Sequence, residues 1–235
     1  MSEPLSIVFA LFPNVTQLDF TGPFEVLQRV PDTRLSVASR EGGTLRADSG
    51  LSFAGLTRLS EIETCHVLCV PGGYGVTEAV RDTEYLAQVR RLAQQARYLT
   101  SVCSGSLILA AAGLIQGKRA ACHWLWRELL AQAGVHVVNE RVVRDGNLIT
   151  GGGVTAGIDF ALTLAAELVG LEQAQAIQLA IEYAPSPPFN AGRPELAPPA
   201  VLQQVKARSV PLAIERKAAL EAALARLASP VPSSA

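Results

Sequence analysis

Charge is scarce in this sequence: only 17% of its 235 residues are Asp, Glu, Lys or Arg, against roughly a quarter in an average soluble domain. With 49% hydrophobic residues the chain can bury a core and does not read as disordered. A basic excess is also missing. Lys and Arg total 20 against 21 Asp and Glu, a formal charge of −1, so no global positive field gathers phosphates or anionic lipid. Neither nucleic acid nor membrane is expected as a partner. No apolar run reaches the roughly 18–20 residues of a spanning helix, and Met1-Ser2-Glu3-Pro4 lacks the basic region of a secretory signal. The expected location is cytoplasmic. Cysteine is limited to Cys65, Cys69, Cys103 and Cys122, too sparse for a disulfide framework. With three histidines and no paired ligand spacing, no metal is expected. No Walker lysine or Rossmann glycine pattern follows the first strand, so no nucleotide cofactor is expected.

What the chain does have is alternation. Residues 5–12 form a continuous apolar run closed by Pro13-Asn14, the pattern of a strand buried on both faces of a parallel sheet. A short turn around Asp19 and a helix interrupted by Gly22-Pro23 should follow. Residues 34–40 read as a strand, and 45–53 as its continuation or a hairpin. Residues 65–70 form a central strand ended by Pro71-Gly72-Gly73, and 83–96 an exposed helix. A third strand at 98–102 runs into Cys103-Ser104-Gly105-Ser106 and a buried helix at 107–112. Residues 123–133 read as helix, and Asp145-Gly146 marks a type I′ hairpin turn between 141–144 and 147–150. Gly151-Gly152-Gly153 then feeds a helix over 155–169. From Ala184 prolines make an extended crossing, a helix resumes at 213–227, and the end should fray.

These elements predict one α/β domain over residues 1–235: a three-layer, flavodoxin-like sandwich with a mostly parallel sheet, its core over about 1–184 and a proline-rich crossing with terminal helices over 185–235. In such sheets ligands lie beyond the carboxyl ends of the strands.

Cys103 stands at such an end. An apolar strand delivers it to a helix start, with Ser101 two residues before and Gly105 two after, and only small neighbours permit so tight an elbow. A helix N-terminus favours thiolate over thiol, so a lowered pKa is expected. The competing reading is a buried structural cysteine, which is assigned instead to Cys65, Cys69 and Cys122. Gly72 and Gly73 could aim amides at a developing negative charge together with the Ser104 amide, or simply make a tight turn. Asp19, in an apolar setting near the end of the first strand, could exchange protons with a thiol, although local sequence alone favours a helix cap. His123 could reach the thiol only if the fold brings it there. Asp159 reads as an ordinary first-turn acid.

Six segments carry a resemblance: Leu18-Asp19-Phe20-Thr21-Gly22-Pro23, Val70-Pro71-Gly72-Gly73, Ser101-Val102-Cys103-Ser104-Gly105-Ser106, Glu140 through Asn147, Thr150-Gly151-Gly152-Gly153-Val154-Thr155, and Glu182-Tyr183-Ala184-Pro185. Together they resemble the DJ-1/PfpI superfamily, and within it the branch that hydrates isocyanides. The resemblance implies the DJ-1-like sandwich, a nucleophile at Cys103, a carboxylate partner at Asp19, a backbone from Gly152 to Val154 near the thiol, and a homodimer. Much of the superfamily carries glutamate where this chain has Asp19, and aspartate is typical of the hydratase branch. The threonine usual after the cysteine is here Ser104. The implied substrate is a small uncharged isocyanide, suited to apolar neighbours such as Phe20, Val154 and Ile158. The implied reaction is addition of the thiolate to give a thioimidate, then hydrolysis to an N-substituted formamide, with no cofactor. A glyoxalase-like activity on α-oxoaldehydes shares the same two groups, and an oxidisable low-pKa cysteine would serve a stress sensor. Related transcriptional regulators share several segments, but the 52 residues after Tyr183 are too few for an appended DNA-binding domain of that type.

Overall fold

In the computed structural model, which describes residues 4–228, strands and helices alternate. β1 (Leu5–Leu11) leads to α1 (Gln17–Leu27), β2 (Thr33–Ser39), the hairpin β3 (Gly43–Arg46) and β4 (Ser52–Arg58), β5 (Val67–Val70), α2 (Val76–Arg81), α3 (Thr83–Gln95), β6 (Tyr98–Val102) and α4 (Gly105–Ala111). Then come β7 (Arg119–Ala120), α5 (Arg127–Gln132), β8 (His136–Val137), the hairpin β9 (Val142–Asp145) and β10 (Leu148–Gly151), α6 (Ala156–Val169), α7 (Leu171–Ala180) and α8 (Pro199–Ala228). Among these residues no helix is long and apolar enough to cross a membrane.

Eight strands make one sheet in the order β3-β4-β2-β1-β5-β6-β10-β9. Every pairing from β4 to β10 is parallel, and only the edge strands β3 and β9 run antiparallel. β1 and β5 are apolar except for Ser6 because helices flank the sheet, and nearly every side chain in both is buried. Each such Val, Leu, Ile or Phe contributes roughly 1.5–3 kcal/mol relative to exposure. The chain leaves β1 toward β2 on one side and returns as β5 on the other, which makes the β1/β5 junction the switch point of the sheet. Asp19 and Gly72-Gly73 follow those two strands, and Cys103 follows the next.

Helix α1 departs from the expected turn-then-helix. It runs unbroken through Gly22 and Pro23, with Asp19 in its first turn. Close packing on α6 accommodates this: a Cβ on Gly157 would lie 3.0 Å from Pro23, and one on Gly22 would lie 3.3 Å from Ile158. The β9–β10 turn falls one residue later than predicted, on Gly146-Asn147, with positive φ at Gly146 and not at Asn147, as a type II′ rather than a type I′ turn requires. Residues 123–133 divide into a 3₁₀ turn, Trp124–Trp126, and α5. The terminal helix begins at Pro199 rather than 213 and carries Pro211 inside it; a proline at the first position suits a helix start. It packs on α2 and α4, and Leu220 and Ala223 are among its buried residues. The predicted fraying at 229–235 lies outside the described residues.

Candidate active site

Cys103 has φ +60, a left-handed conformation uncommon for a residue with a side chain. The elbow is held on both sides: Cys103 N–H donates to the Gly151 carbonyl at 3.0 Å, and the His123 N–H donates to the Cys103 carbonyl at 3.2 Å. Gly105 must be glycine, since a Cβ there would sit 2.2 Å from the Val70 carbonyl oxygen. The thiol is buried, at 6% exposure for the residue, yet forms part of a cavity wall.

Asp19 is 1% exposed and does not cap its own helix. Its Oδ2 instead accepts the Gly72 N–H at 3.0 Å, while the Thr16 N–H donates to the Gly72 carbonyl at 3.0 Å. Its Oδ1 has no hydrogen-bond partner among the described residues. Burial lifts its pKa to about 7, the Cys103 thiol and the Gly72 amide pull it down, and Asp48 pushes it up. The predicted lowering of the thiol is reversed. Burial, the Asp19 charge and Cys122 push Cys103 well above the ordinary range, and the Ser104 amide offsets only part of this. A helix start that sequence alone reads as electropositive is here buried and faces a carboxyl.

Gly72 and Gly73 do not present free amides. Gly72 binds Asp19, and Gly73 N–H donates to Ser104 Oγ at 3.2 Å. Ser104 is buried, so its hydroxyl and the two glycines lock the β5 loop onto the elbow. Val154 lines the same cavity as Cys103. Gly152 does not; its N–H donates to the Arg141 carbonyl at 2.9 Å, behind the wall. Phe20 packs edge-on to Phe9, Phe24 and Phe53 away from the cavity, and Ile158 packs against Gly22. The His123 ring does line the cavity, with Nδ1 accepting the Leu125 N–H at 3.4 Å. Burial, with Arg127 and Arg216 nearby, lowers its pKa to about 4, which leaves it neutral at physiological pH. Asp159 accepts from Tyr183 Oη at 2.8 Å and pairs with Arg141 at 2.7 Å on the surface. Cys65, Cys69 and Cys122 are buried thiols raised to about 12, 12 and 11, chiefly by desolvation.

Several contributors were not read from the sequence. Asp48, in the turn between β3 and β4, accepts the Thr16 hydroxyl at 2.5 Å and acts on Asp19. Trp126 lines the cavity, as do α8 residues including Arg208 and Arg216. Arg216 shares the buried stripe of Ala219, Leu220 and Ala223, so an arginine on an apolar i, i+3, i+4, i+7 face was the available signal. The cavity holds about 360 Å³. Among the described residues no cluster of three or more His, Cys, Asp or Glu side chains is arranged to hold a metal ion.

The DJ-1/PfpI family profile matches residues 5–167. An isonitrile hydratase from Pseudomonas putida is 49% identical over 223 residues, spanning 95% of this chain and 98% of that protein. The crystal structure of a ThiJ/PfpI family protein from Pseudomonas syringae superposes with a TM-score of 0.89 at 36% identity, covering 92% of this chain and 90% of that one. Drosophila melanogaster DJ-1beta superposes with a TM-score of 0.71 at 24% identity over 77% of this chain and 100% of that one, a likeness of fold.

Proposed function

This chain belongs to the DJ-1/PfpI family, and from that premise we propose that it is an isonitrile hydratase in which Cys103 is the nucleophile and Asp19 the proton carrier. The observation that carries the reading is the meeting of these two groups across the β1/β5 switch point: a buried carboxyl near pKa 7 acts on a thiol that forms part of a cavity wall. The near full-length likeness to a hydratase supports the same substrate class.

The electrostatics give an order of events. A thiol held above its ordinary range stays protonated until a base takes its proton during attack. Asp19, ionised over part of its population near neutrality, is that base. Sulfur bonds to the terminal isocyanide carbon as the S–H bond breaks toward Asp19, and Asp19 then returns the proton to the same carbon. The product is a thioimidate, R–N=CH–S–Cys103. Water adds to that carbon and gives a proton to Asp19. The added hydroxyl gives its proton to nitrogen, the C–S bond breaks as the C=O bond forms, and the proton on Asp19 restores the thiol. The sum is isocyanide plus water to N-substituted formamide. Gly72 and Ser104 serve by orientation, since each amide of the glycine pair is committed to a side chain. Fixing both reactants in this way supplies rate without further chemistry.

The test mixes the purified chain with para-nitrophenyl isocyanide and follows formamide absorbance, beside Cys103→Ala. Turnover by the wild type and background rate in the variant are expected. No turnover at micromolar wild-type enzyme would sink the reaction, and full turnover by Cys103→Ala would move the nucleophile elsewhere.

A further inference from the structure

The cavity wall is electrostatically one-sided. Among the described residues it carries two arginines, Arg208 and Arg216, and no carboxylate; Asp19 lies behind Cys103 and Gly72. Arg216 is 2% exposed, yet no Asp or Glu pairs with it among the described residues. Its Nη2 donates to the carbonyls of Gly73 at 2.8 Å and Tyr74 at 3.3 Å, and its Nε to Thr77 Oγ1 at 3.5 Å. The guanidinium lies 4.2 Å over the Trp126 ring. Among the described residues Nη1 has no acceptor, and Arg216 forms part of the cavity wall.

Taking a cation out of water without a counter-charge costs several kcal/mol. Carbonyl oxygens and an aromatic face offset part of this but leave the formal charge in place. Burial lowers the Arg216 pKa only to about 10, so the group remains a cation at neutral pH. Clamping α8 to the Gly73-Tyr74 turn calls for donors and not for net charge. A buried guanidinium with one uncommitted nitrogen lining the same cavity as a thiol suits an arriving anion, because a charge-assisted N–H to carboxylate contact is roughly twice as strong as a neutral one.

We propose that this cavity is built for isocyanides that carry a carboxylate, with Arg216 receiving the acid, Arg208 drawing it in from the exposed part of α8, and the isocyano carbon meeting Cys103. The proposal rests on the hydratase reading for its reactive group, and it replaces the uncharged substrate that the sequence suggested.

Two measurements separate the ideas. The first compares kcat/KM for 4-isocyanobenzoate and phenyl isocyanide. The second needs no turnover: Cys103 is alkylated, above pH 7 where His123 is neutral, with 2-iodoacetanilide or its para-carboxylate. Rates are read by mass spectrometry of the Cys103 peptide and normalised to a small free thiol. The acid should be preferred about tenfold or more in both, as a charge-assisted contact allows, and the preference should weaken with salt. Arg216→Met and Arg208→Gln should each lower the ratio. A wild-type alkylation ratio equal to that of the free thiol overturns the subsite, even if Arg216→Met fails to fold. So does an Arg216→Met variant that slows both reagents equally, which would reduce Arg216 to a clamp. If the alkylation preference holds while neither isocyanide is hydrated, the hydratase reading fails and the anion subsite stands.

Discussion

Gly72 donates its N–H to Oδ2 of Asp19 across 53 positions of sequence at 3.0 Å, which turns a first-turn helix acid away from its own backbone and toward the Cys103 thiol. The contact leaves no room on the glycine. A Cβ at Gly72 would lie 2.5 Å from the Ser104 nitrogen and 2.8 Å from Asp19 Oδ2. One backbone amide therefore fixes the separation of carboxyl and thiol, and the properties of the pair depend on it.

Gly72→Ala should accordingly displace Asp19, Ser104 or both. Overpacking of this kind typically costs about 1–3 kcal/mol, and misplacing a proton carrier by about an ångström can cost roughly 100-fold in rate. Urea melts and kcat measured together check this; near wild-type kcat would mean that the junction is softer than its contacts indicate.

Cys103→Ala should lose turnover while keeping the fold. The elbow is held by backbone hydrogen bonds at 3.0 and 3.2 Å that do not involve the sulfur. Circular dichroism should match the wild type, and the melting temperature should move by only a few degrees, since roughly 1 kcal/mol is at stake.

Asp19→Asn should lower kcat by about 100- to 10,000-fold, the usual range for a lost acid–base group. The same change should make the thiol easier to ionise, because the Asp19 charge is among the groups raising it. Iodoacetamide labelling of Cys103 against pH would show the midpoint moving to lower pH. An unmoved midpoint would mean that burial alone holds the thiol up.

The pH–rate profile of the wild type should rise through about 7 as Asp19 becomes the base, with no falling limb until the thiol ionises far into the alkaline range. A profile flat from about pH 5 to about pH 9 would remove Asp19 from the rate-determining proton transfer.

Stability should fall as pH rises from about 4 to about 7. The Asp19 carboxyl ionises near 3.8 when unfolded and near 7 when folded, so within that window the native state holds the extra proton and alkali favours unfolding. The loss is at most on the order of 4 kcal/mol, about 1.4 kcal/mol for each unit between the two values. Denaturant melts at about pH 4.5 and about pH 8 should show a smaller difference in Asp19→Asn; an equal difference would assign the pH dependence to other groups.

Where the chemistry of an element is local, the sequence determined it. The run of residues 5–12, the span 98–102 and the Ser101-x-Cys103-x-Gly105 elbow follow from neighbours within a few positions: apolar continuity makes a buried strand, and small residues permit the bend. These features point to a parallel sheet and to Cys103 as the residue at its elbow. The α1 and α8 boundaries are not legible locally because a proline inside a helix removes one hydrogen bond, and only packing decides whether the helix survives it. Gly157 seated against Pro23 is such a decision.

Tertiary structure alone decided what lies beside Cys103. Gly73 and Arg216 meet across 143 positions, a separation at which periodicity and turn chemistry carry no information. Strand order placed the Asp19 carboxyl at the thiol, and burial then set both acidities, reversing the lowered pKa that a helix start implies by itself. The direction of a pKa shift follows from water exclusion and neighbouring charge in three dimensions, neither of which a string of residues contains.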